Sequence, residues 1–277
     1  DLYFIKLALT ISAPSYTVSR LMKSTSIQSI PTLAQLLFVL LSTALLSSLA
    51  SAQESAVDII DAMEELYRGE SSLARMTMIV ETPQFQRTME MESSSIGTEK
   101  AFIRILAPRK DRGIATLKLD LEMWNYLPKI NKVIKVPPSM MMGSWMGSDF
   151  TNDDLVKQTT LTDDYDLTLE ETDTEYRITL VPKSNTVTVW GKIDYNVNKE
   201  LMIPLSQNFY DDSDRLIRKM EFSEPREISG LLIPSRMEMI PINKEGHKTV
   251  IIYDELQFDP PEIDESIFTM RNLRSRF

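Results

Sequence analysis

From Ala74 onward the apolar side chains fall at every second position, and that period constrains the fold more than any other feature of the chain. Ala74, Met76, Met78 and Val80 alternate with Arg75, Thr77, Ile79 and Glu81, and Met89 and Met91 alternate with Glu90 and Glu92. Successive side chains on a strand point to opposite faces, so these are strands with one buried face, broken near Pro83. Further strands are predicted at Ala101–Leu106, Ile114–Leu119, Met123–Leu127, Lys132–Val136, Asp166–Glu170, Glu175–Val181, Thr186–Val197, Ser206–Tyr210, Leu216–Phe222, Leu231–Ile240 and Lys248–Phe258. Turn chemistry separates them, as at Ser184-Asn185, Asp211-Asp212-Ser213-Asp214 and Asn243-Lys244-Glu245-Gly246. The expectation is a mainly β (α+β) fold: one curved antiparallel sheet or incomplete β-barrel. A single amphipathic helix opens it. Ser55 and Asp58 read as its start, Ile59, Ile60, Met63, Leu66 and Tyr67 keep helical spacing, and Gly69 stops the pattern.

The N-terminal fifty residues do not follow this rhythm. Leu33 to Leu46 is an apolar block, followed by small residues ending in Ala50-Ser51-Ala52. That is the layout of a secretory signal over 22–52, with Met22 and Lys23 at its head and cleavage after Ala52. Residues 1–21 read as an over-extended start, leaving 53–277 as one domain. The alternative is an uncleaved anchor, since Ile30 to Leu49 approaches spanning length.

Composition excludes several chemistries. The 277 residues contain no cysteine, which removes disulfides, thiolate metal sites and a cysteine nucleophile. The net charge is −10, so the average field repels nucleic acid. Removing Lys6, Arg20, Lys23 and Asp1 with the leader leaves 27 basic and 39 acidic side chains, a net of −12.

No enzyme motif stands out. The single histidine, His247, sits in a turn, and no Gly-x-Ser-x-Gly elbow accompanies it. The pairs Asp153-Asp154, Asp163-Asp164 and Asp211-Asp212 lack EF-hand spacing and read as helix caps or solvated turns. No Walker loop or Gly-x-Gly-x-x-Gly is present, so neither cofactor nor metal is expected. Arg109, Lys110 and Arg112 form a basic cluster that reads either as a solvated turn or as a contact to an anionic partner.

The segment Pro137 to Leu155 is unusual for a loop. It carries Met140, Met141, Met142, Trp145 and Met146 between glycines, then runs into a short helix with Thr151 and Asp154 as a capping pair. Methionine is flexible and polarizable, which suits a surface that accepts ligands of variable shape. A plug at one end of the core would use the same residues.

This segment and its surroundings resemble the LolA-like family of outer-membrane lipoprotein-sorting proteins. The matching stretches are Arg112-Gly113-Ile114-Ala115-Thr116-Leu117, Met123-Trp124-Asn125-Tyr126-Leu127-Pro128, Met146-Gly147-Ser148-Asp149-Phe150, and Phe268-Thr269 with Leu273. The resemblance spans nearly all of 53–277. It implies an incomplete barrel whose concave apolar face is closed by helices and loops and holds acyl chains, in the periplasm, without ATP or metal. On that reading Met76, Met78, Met89, Met91, Trp124, Tyr126, Met140, Met141, Met142, Trp145, Met146 and Phe150 line the cavity or its lid. The implied partners are lipid or lipoprotein acyl chains and a membrane-associated transporter or acceptor. The implied role is a carrier, with a lipid sensor built on the same cavity as the alternative.

Overall fold

The computed structural model describes residues 56–64, 66, 69–156 and 161–275. The leader and the expected helix start at Ser55 lie outside these residues, as does Tyr67. Among the described residues no helix is long and apolar enough to cross a membrane.

Among the described residues the alternating runs form thirteen strands. They are β1 (Ser71–Glu81), β2 (Gln86–Ile96), β3 (Lys100–Ala107), β4 (Ala115–Leu119), β5 (Glu122–Leu127), β6 (Lys132–Lys135), β7 (Tyr165–Glu171), β8 (Glu175–Pro182), β9 (Lys192–Asn198), β10 (Ile203–Tyr210), β11 (Leu216–Ile228), β12 (Leu231–Pro241) and β13 (Lys248–Phe258). All pair antiparallel in one sheet of order β6-β5-β4-β3-β2-β1-β13-β12-β11-β10-β9-β8-β7. The strands β6 and β7 are the two edges, so the sheet does not close. The incomplete barrel expected from the alternation is what the chain forms.

Two elements differ from expectation. Thr186–Val197 alternates like a strand, yet pairing begins only at Lys192, and Val187 is 85% exposed. The stretch before it is held by side chains instead: Thr186 Oγ1 donates to the Asp164 carbonyl, and Thr188 Oγ1 bonds the Tyr165 hydroxyl. Those bonds take the place of a ladder. The strand expected at Leu216–Phe222 continues to Ile228, because a Ser229-Gly230 turn with φ of +50° and +81° folds β12 back along it.

Among the described residues three helices accompany the sheet: α1 over residues 56–64, α2 (Asn152–Val156) and α3 (Leu161–Asp164). A fourth, α4 (Met270–Leu273), lies near the C-terminus. The apolar stripe of α1 packs as its spacing predicts, with Ile59, Ile60 and Met63 buried against Leu167, Leu180, Tyr195 and Phe209 of β7 to β10. Leu66 touches both this cluster and the one under β1 and β2, so α1 covers the inner face of the sheet. A third cluster lies on the outer face. There Phe268 and Leu273 of the C-terminal segment bury Phe102, Leu117 and Tyr126. The two faces separate cleanly on β5, where Met123 points inward and Trp124 and Tyr126 outward.

Candidate functional site

The inner face of β1 and β2 is built from methionines set opposite one another. Met76 pairs with Met91 and Met78 with Met89, and all four are buried. Met123 of β5 joins them, and Met239 of β12, also buried, extends the face beside Thr249. Unbranched thioether side chains make this a deformable apolar floor.

A loop covers that floor. Residues 136–156 leave β6, pass through a 3-10 turn (Pro138–Met140) and bring Trp145, Met141, Met146 and Leu155 down on the methionines. A hairpin-like turn shapes its centre: Trp145 N–H donates to the Phe150 carbonyl at 2.8 Å, and Ser144 bridges Thr151. Met146 and Gly147 reverse the chain with φ of +52° and +76°, a geometry that favours glycine at the second position. The Ser148 hydroxyl donates to the Trp145 carbonyl and accepts from Phe150 N–H, which explains the Gly147-Ser148-Asp149-Phe150 stretch as turn chemistry. The expected capping pair is present: Thr151 N–H donates to Asp154 at 2.8 Å, and Asp154 N–H to Thr151 Oγ1 at 3.1 Å.

Four polar tethers tie this loop to four strands. Arg218 of β11, buried against the adjoining rings of Trp190 and Phe209, forks onto both oxygens of Asp154. Thr249 of β13 donates to Asp149 at 2.8 Å and accepts from its backbone N–H at 2.9 Å. Arg87 of β2, paired with Asp111 at 3.0 Å, donates to the Met146 carbonyl. Trp145, 3% exposed, donates from Nε1 to Thr116 of β4 at 3.1 Å. The loop is thus apolar where it meets the methionines and polar around its margin. Burial pushes the Tyr253 hydroxyl of β13 up to about 12, and burial beside α1 also raises that of Tyr195.

The structure brings together eight of the twelve sequence-expected ligand residues and separates four. Met76, Met78, Met89, Met91, Met141, Trp145 and Met146 form one cluster, and Phe150 is buried in the turn above it. Met140 and Met142 are 60% and 45% exposed and point away from the floor. Trp124 and Tyr126 do share one strand face, as expected, but it is the outer one, under the C-terminal segment. Arg109, Lys110 and Arg112 stand exposed in the β3–β4 turn. Sequence reasoning missed Met123, Met239, Arg87, Thr249 and Arg218. Alternation within Met237-Glu238-Met239 could have revealed Met239; nothing local marks Arg218.

The acidic pairs have local roles. Asp154 is the partner of the Thr151 cap at the start of α2 and holds Arg218, Asp163 and Asp164 sit in the first turn of α3, and Asp211 accepts from Ser213 and Arg215 N–H. Among the described residues no three His, Asp or Glu side chains gather as a metal-binding group. A groove of about 320 Å³ on the outer face is lined by Arg177, Thr179, Asp194 and Asn196, too polar for an acyl chain.

An open antiparallel sheet wrapped around a helix and a capped loop defines the LolA-like fold, and solved structures bear this out. A DUF1329 family protein from Desulfovibrio piger superposes with a TM-score of 0.71 at 23% identity, over 80% of this chain and 99% of that one. An outer membrane lipoprotein-sorting protein domain from Vibrio parahaemolyticus gives 0.67 at 20% identity, over 80% and 100%. A LolA superfamily protein from Nitrosomonas europaea gives 0.64 at 22% identity, over 78% and 98%. No curated protein matches the sequence. A family model described as "-like: Uncharacterized protein" matches residues 97–275, and the chain belongs to that family.

Proposed function

We propose that this protein is an exported periplasmic carrier of a lipid, a lipoprotein or a similar apolar ligand, with acyl chains replacing the 136–156 loop on the methionine floor. The observation that carries this reading is the division of labour in the loop. Its apolar contacts are with Met76, Met78, Met89 and Met91, while its attachment to the sheet runs through separable polar tethers. Lifting it would bare a methionine-rich surface without unpairing a strand.

The energetics suit a carrier. Each buried CH₂ contributes about 0.8 kcal/mol, so an acyl chain can match what the loop loses on leaving. Exchange then needs no covalent chemistry. The lipoprotein-sorting neighbour from Vibrio parahaemolyticus supports the same class of ligand. The test is purification of the mature protein followed by mass spectrometry of solvent-extracted material and displacement by a fluorescent fatty acid. A co-purifying lipid that the probe displaces supports a carrier. Absence of both, with the fold intact, would remove the reading.

A further inference from the structure

The strand register sets four turns side by side on one rim of the sheet: 128–131, 107–114, 82–85 and 242–247. Leu127 pairs with Lys132, Ile105 N–H donates to the Ile114 carbonyl, and Glu81 pairs with both Gln86 and Lys248. These turns carry Arg109, Lys110, Arg112, Lys129 and Lys244 against two carboxylates, and Lys244 also lies 4.0 Å from Asp149 of the covering loop. One of the two, Asp111, is buried against Arg87. Three of the turns also hold a large apolar side chain in solvent: Phe85 is 54% exposed, Ile130 57% and Ile242 47%.

The opposite rim reverses the sign. Its turns at 97–99, 120–121, 172–174, 199–202, 229–230 and 259–262 hold six carboxylates and one lysine, Lys199, which is ion-paired with Glu171. A chain of net −10 therefore gathers exposed cations along one stretch of one rim, while exposed apolar tips stand on both, Leu121 at 67% and Leu201 at 44% on the acidic one. The next turn on that rim, 211–215, is acidic again, which bounds the patch.

We infer that this rim docks on an anionic phospholipid bilayer. Lysine and arginine near such a surface are attracted to its headgroups, and single apolar side chains at separate loop tips can each enter the interface. A protein partner would call for a contiguous apolar centre, which separated tips do not provide. The acidic far rim is repelled by the same surface, so the molecule docks in one orientation. The inference is independent of what the inner face carries.

Flotation with phosphatidylcholine vesicles, with and without phosphatidylglycerol, at low and high salt, tests it. The chain should float with the anionic vesicles at low salt and lose most of that binding at high salt. Reversing Arg109→Glu, Lys110→Glu and Lys129→Glu together should lower partitioning at least about a hundredfold. Phe85→Ser with Ile130→Ser should lower it about tenfold or more. A charge-matched control on the far side, Lys100→Glu with Arg177→Glu and Lys199→Glu, should leave most of the binding in place. Thermal melts should show all variants folded. Equal binding to neutral vesicles, no binding to anionic ones, or equal loss in the control would overturn the inference.

Discussion

Arg218 of β11 and Asp154 of α2, 64 positions apart, meet through two hydrogen bonds of 2.7 and 2.6 Å, with the guanidinium stacked 4.5 Å from the Trp190 ring and 4.4 Å from that of Phe209. The pair joins the wall packed by α1 to the loop that covers the methionines. The arginine side chain is 7% exposed and the aspartate 21%. Removing the aspartate strands a buried cation, which costs more than the pair itself contributes.

Asp154→Ala should therefore destabilise the protein by about 3 kcal/mol, the lower end of the range for broken buried pairs because Asp154 keeps contact with water. Part of that loss, about 1 kcal/mol, is the cap on α2. Asp154→Asn keeps an acceptor for Thr151 N–H and should lose less. Urea melts of the three proteins check the order. If the loop is a lid, both variants should also bind a fatty-acid probe more tightly, since less work is needed to lift it. A destabilised protein with weaker probe binding would favour a plug.

Met141 and Met142 separate those two readings by position. Met141 packs on the floor, whereas Met142 is 45% exposed. Met141→Asp places a carboxylate on the apolar floor while the loop is down, at a cost of up to several kcal/mol that is relieved when the loop lifts. If acyl chains replace the loop, probe affinity should rise in Met141→Asp and stay as it was in Met142→Asp, both measured by displacement beside a thermal melt. Lost affinity in Met141→Asp with the fold intact would mean that the loop stays on the floor and the ligand binds against it.

The sheet was legible because it is written locally. Every second residue from Ala74 to Val80 faces inward, and α1 shows its stripe within three turns, so burial of Ile59, Ile60 and Met63 follows from spacing alone. The capping of Asp154 by Thr151 was legible for the same reason, since both partners lie within one turn. What the sequence concealed is pairing at a distance. Arg218 sits between Ile217 and Lys219 in an ordinary strand, and its role comes from a loop that arrives from the other half of the sheet. The face occupied by Trp124 was hidden too. Alternation tells that Trp124 and Tyr126 share a side, but which side depends on the C-terminal segment that buries them.

That correction yields a contrast experiment. Trp124 lies across the sheet from the methionines, with Lys135 Nζ 5.4 Å from its ring. Trp124→Ala should cost about 2 kcal/mol of stability, below the range for a fully buried tryptophan because the ring is only half-buried. Probe affinity should stay as it was, because no inner-face contact is removed. A specific loss of affinity would place the ligand under the C-terminal segment instead.

Alkaline pH offers a reading of the covered face that needs no ligand. Burial holds the Tyr253 hydroxyl near 12, above the value of about 10 for a free phenol, and raises Tyr195 as well. A phenol whose value is raised by folding keeps its proton in the native state while the unfolded chain has released it. Between about pH 10 and 12 the native state thus binds more protons, and stability falls as pH rises through that window. Its contribution is intact below about pH 10 and is lost above 12, on the order of 2 kcal/mol for Tyr253. Tyr253→Phe should flatten the fall measured by urea titrations across this window, with Tyr195 supplying the part that remains. An unchanged slope in Tyr253→Phe would mean that the hydroxyl is solvated in the native state.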